Sequence, residues 1–204
     1  MRKEIYLGTN NRKKIVELVN LLEPRGFIIK VPADFPDLFD VDETGITFLE
    51  NARLKATAQA RYRGLWTIGE DSGLCVPALG GRPGIYSARY SGPNATDQSN
   101  LDMLLNDMQS IPDSNRRAYY VSTIVLADPS GGVHIEAVGE CWGKVLTESR
   151  GVGGFGYDPI FEIAEYHQTF AEMGIGVKRA ISHRARAMRA FLKRLDELSL
   201  ADAT

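Results

Sequence analysis

The stretch Lys3-Glu4-Ile5-Tyr6-Leu7-Gly8-Thr9-Asn10-Asn11-Arg12-Lys13-Lys14 sets the class of fold. Its first half is a short strand pattern that closes at Gly8. The polar turn Thr9-Asn10-Asn11 follows, and apolar residues then recur at helical spacing: Ile15, Leu18, Val19 and Leu22. Pro24 and Gly26 end that run, and Phe27 to Val31 reads as a second strand. Strand, turn, helix and strand in succession make an α/β unit.

Outward from this unit the alternation continues. Residues 32–46 read as an acidic loop with Asp34, Asp37, Asp40, Asp42 and Glu43. Thr47-Phe48-Leu49-Glu50 is a capping box, in which the hydroxyl caps the new helix and the glutamate reaches back to the cap residue. An Ala-rich helix runs to about Arg63. Leu65 to Gly69 reads as a strand that ends in an acidic turn, Glu70-Asp71-Ser72-Gly73. Leu79 to Gly92 is glycine-punctuated loop, and Leu101, Leu104, Leu105 and Met108 mark another helix. Ala118 to Leu126 is a strand, Asp128-Pro129-Ser130-Gly131-Gly132 a turn, and Val133 to Cys141 the antiparallel return. Gly151 to Gly156 is a glycine loop. Ser182 caps the last helix, whose apolar side is Ala185, Met188, Leu192 and Leu195. The expected architecture is a mixed sheet with flanking helices and a site in a cleft between two lobes.

Composition narrows the function classes. The chain has 204 residues, 44% hydrophobic and 25% charged, which suits a globular protein that needs no disulfide staples. A formal charge of −2 speaks against a general nucleic-acid binder. Cys75 and Cys141 form no CxxC pair, so they read as buried and inert in a reducing compartment. No apolar run is long enough for a signal peptide or a membrane span, so a cytoplasmic location is expected.

Five sets of residues are candidates to carry chemistry. Thr9, Asn10, Asn11, Arg12, Lys13 and Lys14 join a strand to a helix N-terminus, where unpaired N–H groups and the helix dipole favour an anion. A plain asparagine cap followed by solvated lysines explains the segment equally well. Glu70 and Asp71 at a strand end read either as oxygen ligands of the kind hard Mg²⁺ takes beside phosphate or as a polar turn capped by Asp71. Asp42 and Glu43, ahead of the capping box, could add a ligand but by themselves read more readily as solvated loop charges. Asn51 and Lys55 share one helix face, with Lys55 either a phosphate cation or a surface lysine. Phe155, Gly156, Tyr157 and Asp158 combine close backbone approach, aromatic faces and an acceptor for ring N–H groups. Lys178, Ser182, His183 and Arg184 bring three cationic or donor groups to a helix start, where an acceptor is wanted. Arg186, Arg189, Lys193 and Arg194 read as that helix's solvated face.

Taken in order, Thr9 to Lys14, Glu43 to Ala52, Asp71 to Leu74, Pro83 to Tyr90, Gly153 to Pro159 and Ser182 to Arg184 resemble the inosine/xanthosine triphosphate pyrophosphatases, the house-cleaning nucleotide hydrolases. The resemblance runs from Lys3 to about Leu195. It implies a single nucleoside triphosphate pyrophosphatase domain over residues 1–204, an elongated mixed α/β sheet with two lobes around a central cleft, and a homodimer. It implies Mg²⁺-dependent hydrolysis of ITP, dITP and XTP to monophosphate and pyrophosphate, a small nucleoside triphosphate as the partner, and neither nucleic acid nor membrane. Asp71 matches the catalytic carboxylate that activates water. Glu43 and Glu70 fall at or beside metal-associated positions. Thr9 to Lys14, Ser72 and Lys178 match nucleotide contacts, and Phe155 to Asp158 with His183 and Arg184 match the base pocket. Glu70 stands where the bacterial pattern has Asp, and Ala185 where it has Gly. A Maf-like pyrophosphatase acting on pyrimidines and a nucleotide sensor without turnover are the competing readings.

Overall fold

The structure, a computed structural model, describes residues 4–37 and 39–198, apart from the side chain of Lys13. Lys3, expected to open the first strand, lies outside these residues. The elements run β1 (Glu4–Leu7), α1 (Arg12–Leu22), β2 (Ile28–Lys30), α2 (Phe48–Arg63), β3 (Trp66–Cys75), α3 (Asp97–Asp107), β4 (Arg117–Ala127), β5 (Val133–Val145), β6 (Phe161–Ile163), β7 (Gln168–Thr169), α4 (Gly174–Ile181) and α5 (His183–Glu197). The sheet has seven strands in the order β2-β1-β3-β4-β5-β6-β7. It is mixed, as expected: β1 runs parallel to β2 and β3, whereas β5–β6 and β6–β7 are antiparallel. None of the described helices is long and apolar enough to cross a membrane.

By internal contacts the chain divides into two compact units. The first comprises residues 1–71, 123–137 and 190–204. Ile5, Tyr6 and Leu7 of β1 are fully covered, as a strand with parallel neighbours on both sides requires. The α2 helix starts at the Thr47–Glu50 capping box read from the sequence. Its buried face is Ala52, Ala56 and Ala60, a four-residue spacing of the smallest side chain. These alanines let α2 lie almost against β3. A Cβ on Gly69 would meet the Ala52 carbonyl oxygen at 2.4 Å, so glycine is required there. That close approach brings the α2 side chains within reach of Asp71 in the middle of β3.

The turn joining β4 to β5 belongs to this unit. Asp128 Oδ1 accepts from the Ser130 hydroxyl (2.6 Å), the Ser130 N–H (2.8 Å) and the Gly132 N–H (3.0 Å), while Oδ2 lies 2.6 Å from His134 Nε2. These bonds, the Ser130 hydroxyl foremost and His134 next, hold the Asp128 carboxyl well below the usual carboxylate range. A depressed folded-state pKa contributes stability at neutral pH that is lost as pH falls. Asp128→Asn is therefore expected to lower Tm at pH 7 by roughly 2–4 °C, the small effect of a solvent-screened group. In thermal melts across pH, the gap to the wild type should close below about pH 4.

The second unit comprises residues 72–122 and 138–189. Its core gathers Leu74, Leu101, Leu104, Met108, Tyr120, Cys141, Tyr157, Phe161 and Phe170 around the strands. Cys75 and Cys141 are buried free thiols, as their isolation in the sequence suggested. Ser182 caps α5 through its hydroxyl, which accepts from the Ala185 N–H at 3.3 Å. Arg186, Arg189, Lys193 and Arg194 are exposed, as expected.

Three local expectations are corrected. Glu70-Asp71-Ser72-Gly73 is no turn: β3 runs straight through it to Cys75. Polar and glycine residues read locally as a strand end, but here they lie inside β3, which continues next to β4 in the sheet. The return strand β5 continues four residues past Cys141, and Leu79 to Gly92 contains short 3₁₀ turns. Helix α4, with Gly174 and Gly176, and the three- and two-residue strands β6 and β7 gave no periodic signal in the sequence.

Candidate functional site

In the first unit the site is built midway along β3, at Glu70 and Asp71. Successive strand residues point to opposite faces, so Glu70 and Asp71 leave the strand in opposite directions. Each finds a lysine from a different helix. Lys14, in the first turn of α1, places Nζ 3.6 Å from Glu70 Oε1. Lys55, about two turns into α2, places Nζ 3.0 Å from Asp71 Oδ1 and 3.1 Å from Glu43 Oε2. One ammonium thus joins a loop carboxylate to a strand carboxylate. The ambiguous Lys55 is a site lysine by geometry, with its side chain only 13% exposed.

Both strand carboxylates are buried, Glu70 at 2% and Asp71 at 8% exposure. Burial pushes the Asp71 carboxyl above its ordinary range; Lys55 opposes the rise and Glu43 adds to it. A carboxylate so raised is a better proton acceptor near neutral pH. Asn51, on the same α2 face, donates from Nδ2 to Asp71 Oδ2 at 3.4 Å.

The segment ahead of α1 folds as its residues predict. Thr9 Oγ1 accepts the Asn11 N–H at 3.2 Å, and Asn11 Oδ1 accepts the Lys14 N–H at 3.3 Å, which caps the helix. Asn10 and Arg12 are exposed, and the side chain of Lys13 lies outside the described residues. Among the described residues, no three Asp, Glu, His or Cys side chains cluster as a ready-made metal cage.

In the second unit the glycine loop closes on itself. Asp158 is buried, and its Oδ2 accepts the Phe155 N–H at 2.8 Å and pairs with Lys178 Nζ. The Lys178 ammonium also lies over the Phe155 ring, 4.4 Å from its centroid. Asp158 is therefore the loop's internal anchor. Tyr157 turns its ring into the core, where its hydroxyl donates to the Ser87 carbonyl at 2.8 Å. Burial raises the Tyr157 pKa and keeps the phenol neutral. Gly156, between Phe155 and Tyr157, adopts φ +59°.

His183 and Arg184, the first residues of α5, are both 6% exposed. His183 stacks on Tyr120, with ring centroids 4.7 Å apart and planes within 12°. Arg184 Nη2 lies 3.5 Å from Ser72 Oγ, so Ser72 and Arg184, 112 residues apart, meet. Tyr120 was not legible as a site residue. It sits in an ordinary β pattern, and only packing brings it against His183. Asn51 was visible as the helical neighbour of Lys55, but nothing local tied it to Asp71.

The fold and site define an α/β protein with buried carboxylates in the middle of a strand, each met by a lysine, and a basic and aromatic loop. The Ham1 family matches residues 5–194. The chain is 43% identical over 201 residues to the dITP/XTP pyrophosphatase of Rhodopirellula baltica, covering 98% of this chain and 97% of that protein. It is 44% identical over 189 residues to the dITP/XTP pyrophosphatase of Geobacter sulfurreducens, with 93% and 94% covered. The solved HAM1 protein of Coxiella burnetii matches with a TM-score of 0.90 at 36% identity, covering 96% of this chain and all of that one. The Ham1 protein of Staphylococcus aureus matches with a TM-score of 0.88 at 37% identity, covering 96% and 99%. The chain belongs to the Ham1 family.

Proposed function

We propose that this protein is a nucleoside triphosphate pyrophosphatase that hydrolyses dITP, ITP and XTP to the monophosphate and pyrophosphate, with Mg²⁺. The observation that carries the reading is Asp71: a buried carboxylate with a raised pKa, bonded to Lys55 and Asn51 in the middle of β3. The names of the similar proteins point to the same substrates.

A divalent cation fits the donor set. Glu43 and Asp71 already converge on one positive charge, the Lys55 ammonium. Hard cations take one or two protein carboxylates and complete their shell with phosphate oxygens and water. Asp71 and Glu43 would hold the ion, while Glu70, leaving the strand on its other face, pairs with Lys14. The ion would supply neutralisation of the triphosphate charge.

The chain's own groups do the rest. Asp71 accepts the proton of the attacking water. The water oxygen bonds to one of the two phosphorus atoms that flank the α–β bridging oxygen, the bond from that phosphorus to the bridging oxygen breaks, and monophosphate and pyrophosphate separate. Lys14 and Lys55, with Lys178, offset the negative charge of the phosphate oxygens. The N–H groups at Thr9 to Lys13 and the Ser72 hydroxyl are further phosphate contacts. Phe155 and Gly156 lie against the purine face, with Tyr157 and Asp158 holding that loop in shape. His183 or Arg184 donates to the 6-carbonyl. Adenine presents an amino group there and would leave those donors unpaired. The reading includes a cytoplasmic place of work and a homodimer, for which the exposed Val138 and Trp142 of β5 offer an apolar surface.

A panel of ITP, dITP, XTP, ATP, GTP and UTP, scored for pyrophosphate with and without Mg²⁺, tests the reading. Release from UTP ahead of ITP would sink it. Arg184→Ala is expected to narrow the ITP-to-ATP ratio of kcat/KM by about tenfold or more. An unchanged ratio would remove Arg184 from base reading.

A further inference from the structure

We infer that Asn51 is a positioning residue for Asp71: its side-chain amide ties the backbone of the Glu43 loop to the Asp71 carboxylate and sets the direction in which that carboxylate points. The inference rests on the reading of Asp71 as the group that takes the proton from water.

Asn51 is fully buried on α2, one helical turn before Lys55. Its Oδ1 accepts the Gly45 N–H at 2.8 Å. A backbone N–H only donates, so this bond decides which end of the amide is oxygen. The Nδ2 end then faces Asp71, 3.4 Å from Oδ2. Lys55 holds the other oxygen, Oδ1, at 3.0 Å. Two donors on successive turns of α2 thus hold the two oxygens of one carboxylate, which fixes its plane as well as its place.

The two donors differ in what a substrate does to them. Lys55 is charged and shared with Glu43, so an arriving triphosphate competes for it. The Asn51 amide is neutral and pinned by Gly45, so phosphate has little hold on it. It is the contact that keeps Asp71 aimed while the charges around it rearrange. A purely structural Asn51 would need only its oxygen, for Gly45. The amide N–H toward Asp71 is the part that structure alone does not require.

Asn51→Asp separates the two roles, because it keeps an oxygen for Gly45 and removes the donor to Asp71. Asn51→Leu removes both without adding charge. With ITP and Mg²⁺, Asn51→Asp is expected to lower kcat about 100-fold, the scale of a misplaced catalytic group, and to leave KM within about threefold. Asn51→Leu should lose kcat at least as far, with a lower Tm. A kcat for Asn51→Asp within about twofold of wild type would overturn the inference. So would a joint collapse of kcat, KM and Tm, which marks a structural role only. If Asn51→Asp does not fold, the same comparison of kcat with KM is made on Asn51→Leu, and an unchanged kcat there overturns the inference. The wild-type chain is measured first: no pyrophosphate from ITP would instead refute the reading of the enzyme itself.

Discussion

Asp71→Asn is expected to lower pyrophosphate release from ITP by roughly 10²- to 10⁴-fold, the range that a positioned general base contributes. The substitution keeps shape and removes only the charge and the basicity. Nucleotide should still bind, because Lys14, Lys55 and Lys178 are untouched. Stability separates this loss from unfolding. Burial raises the folded-state pKa of Asp71, so its ionised form is the disfavoured one. A raised acid loses stability for the fold as pH climbs through its pKa, and a neutral amide does not. The variant's Tm at pH 7 is therefore expected to equal or exceed that of the wild type. A variant that turns over ITP at near-normal rate would remove Asp71 from the chemistry. A variant that melts early would show that Asp71 holds the fold rather than the water.

Gly139→Ala is expected to be the most damaging small change in the second unit. A Cβ at Gly139 would lie 2.2 Å from the Ala187 nitrogen and 2.3 Å from the His183 carbonyl oxygen. Both atoms are α5 backbone, so no side chain can swing aside to make room. The helix must move away from β5, and its first residues are His183 and Arg184. Overpacking of this kind costs about 1–3 kcal/mol, which corresponds to a fall in Tm of roughly 3–10 °C for a chain of this size. Activity should fall further than stability explains. Displacing His183 and Arg184 is expected to reduce kcat/KM for ITP by about tenfold or more and to blunt the preference over ATP. Melting curves and the ITP-to-ATP ratio of the same variant check both halves. An unchanged Tm would mean that the strand and helix are free to part, and the argument would fail.

The elements that the sequence marked clearly are those whose signals lie within a few residues. The Thr47–Glu50 box, the Ser182 cap and the apolar spacing of Leu18 and Leu22 are local facts of backbone hydrogen bonding and periodicity, and the structure carries each of them. The site was legible in part. Asp71, Glu70, Lys14 and Lys178 stood out because charged residues at helix starts and beside a strand are costly without a partner. Lys55 stayed ambiguous, since an exposed and a buried lysine look alike in a sequence. Asn51 and Tyr120 gave no sign of what they face. Glu70 to Gly73 misled, because a run of polar and glycine residues reads as a turn wherever strand pairing is not known.

From its own residues the chain determines an α/β fold, a set of helix starts and the inventory of carboxylates, lysines and glycines from which a phosphate site is made. Tertiary structure alone decides which cation meets which carboxylate. Lys55 reaches Asp71 across 16 positions, and Arg184 reaches Ser72 across 112. Such pairings follow from how closely a helix can lie on a strand, as at Gly69 and Gly139, and from the burial that follows. Caps and periods are written in neighbours along the chain; partners are chosen by close packing between segments that the chain keeps far apart.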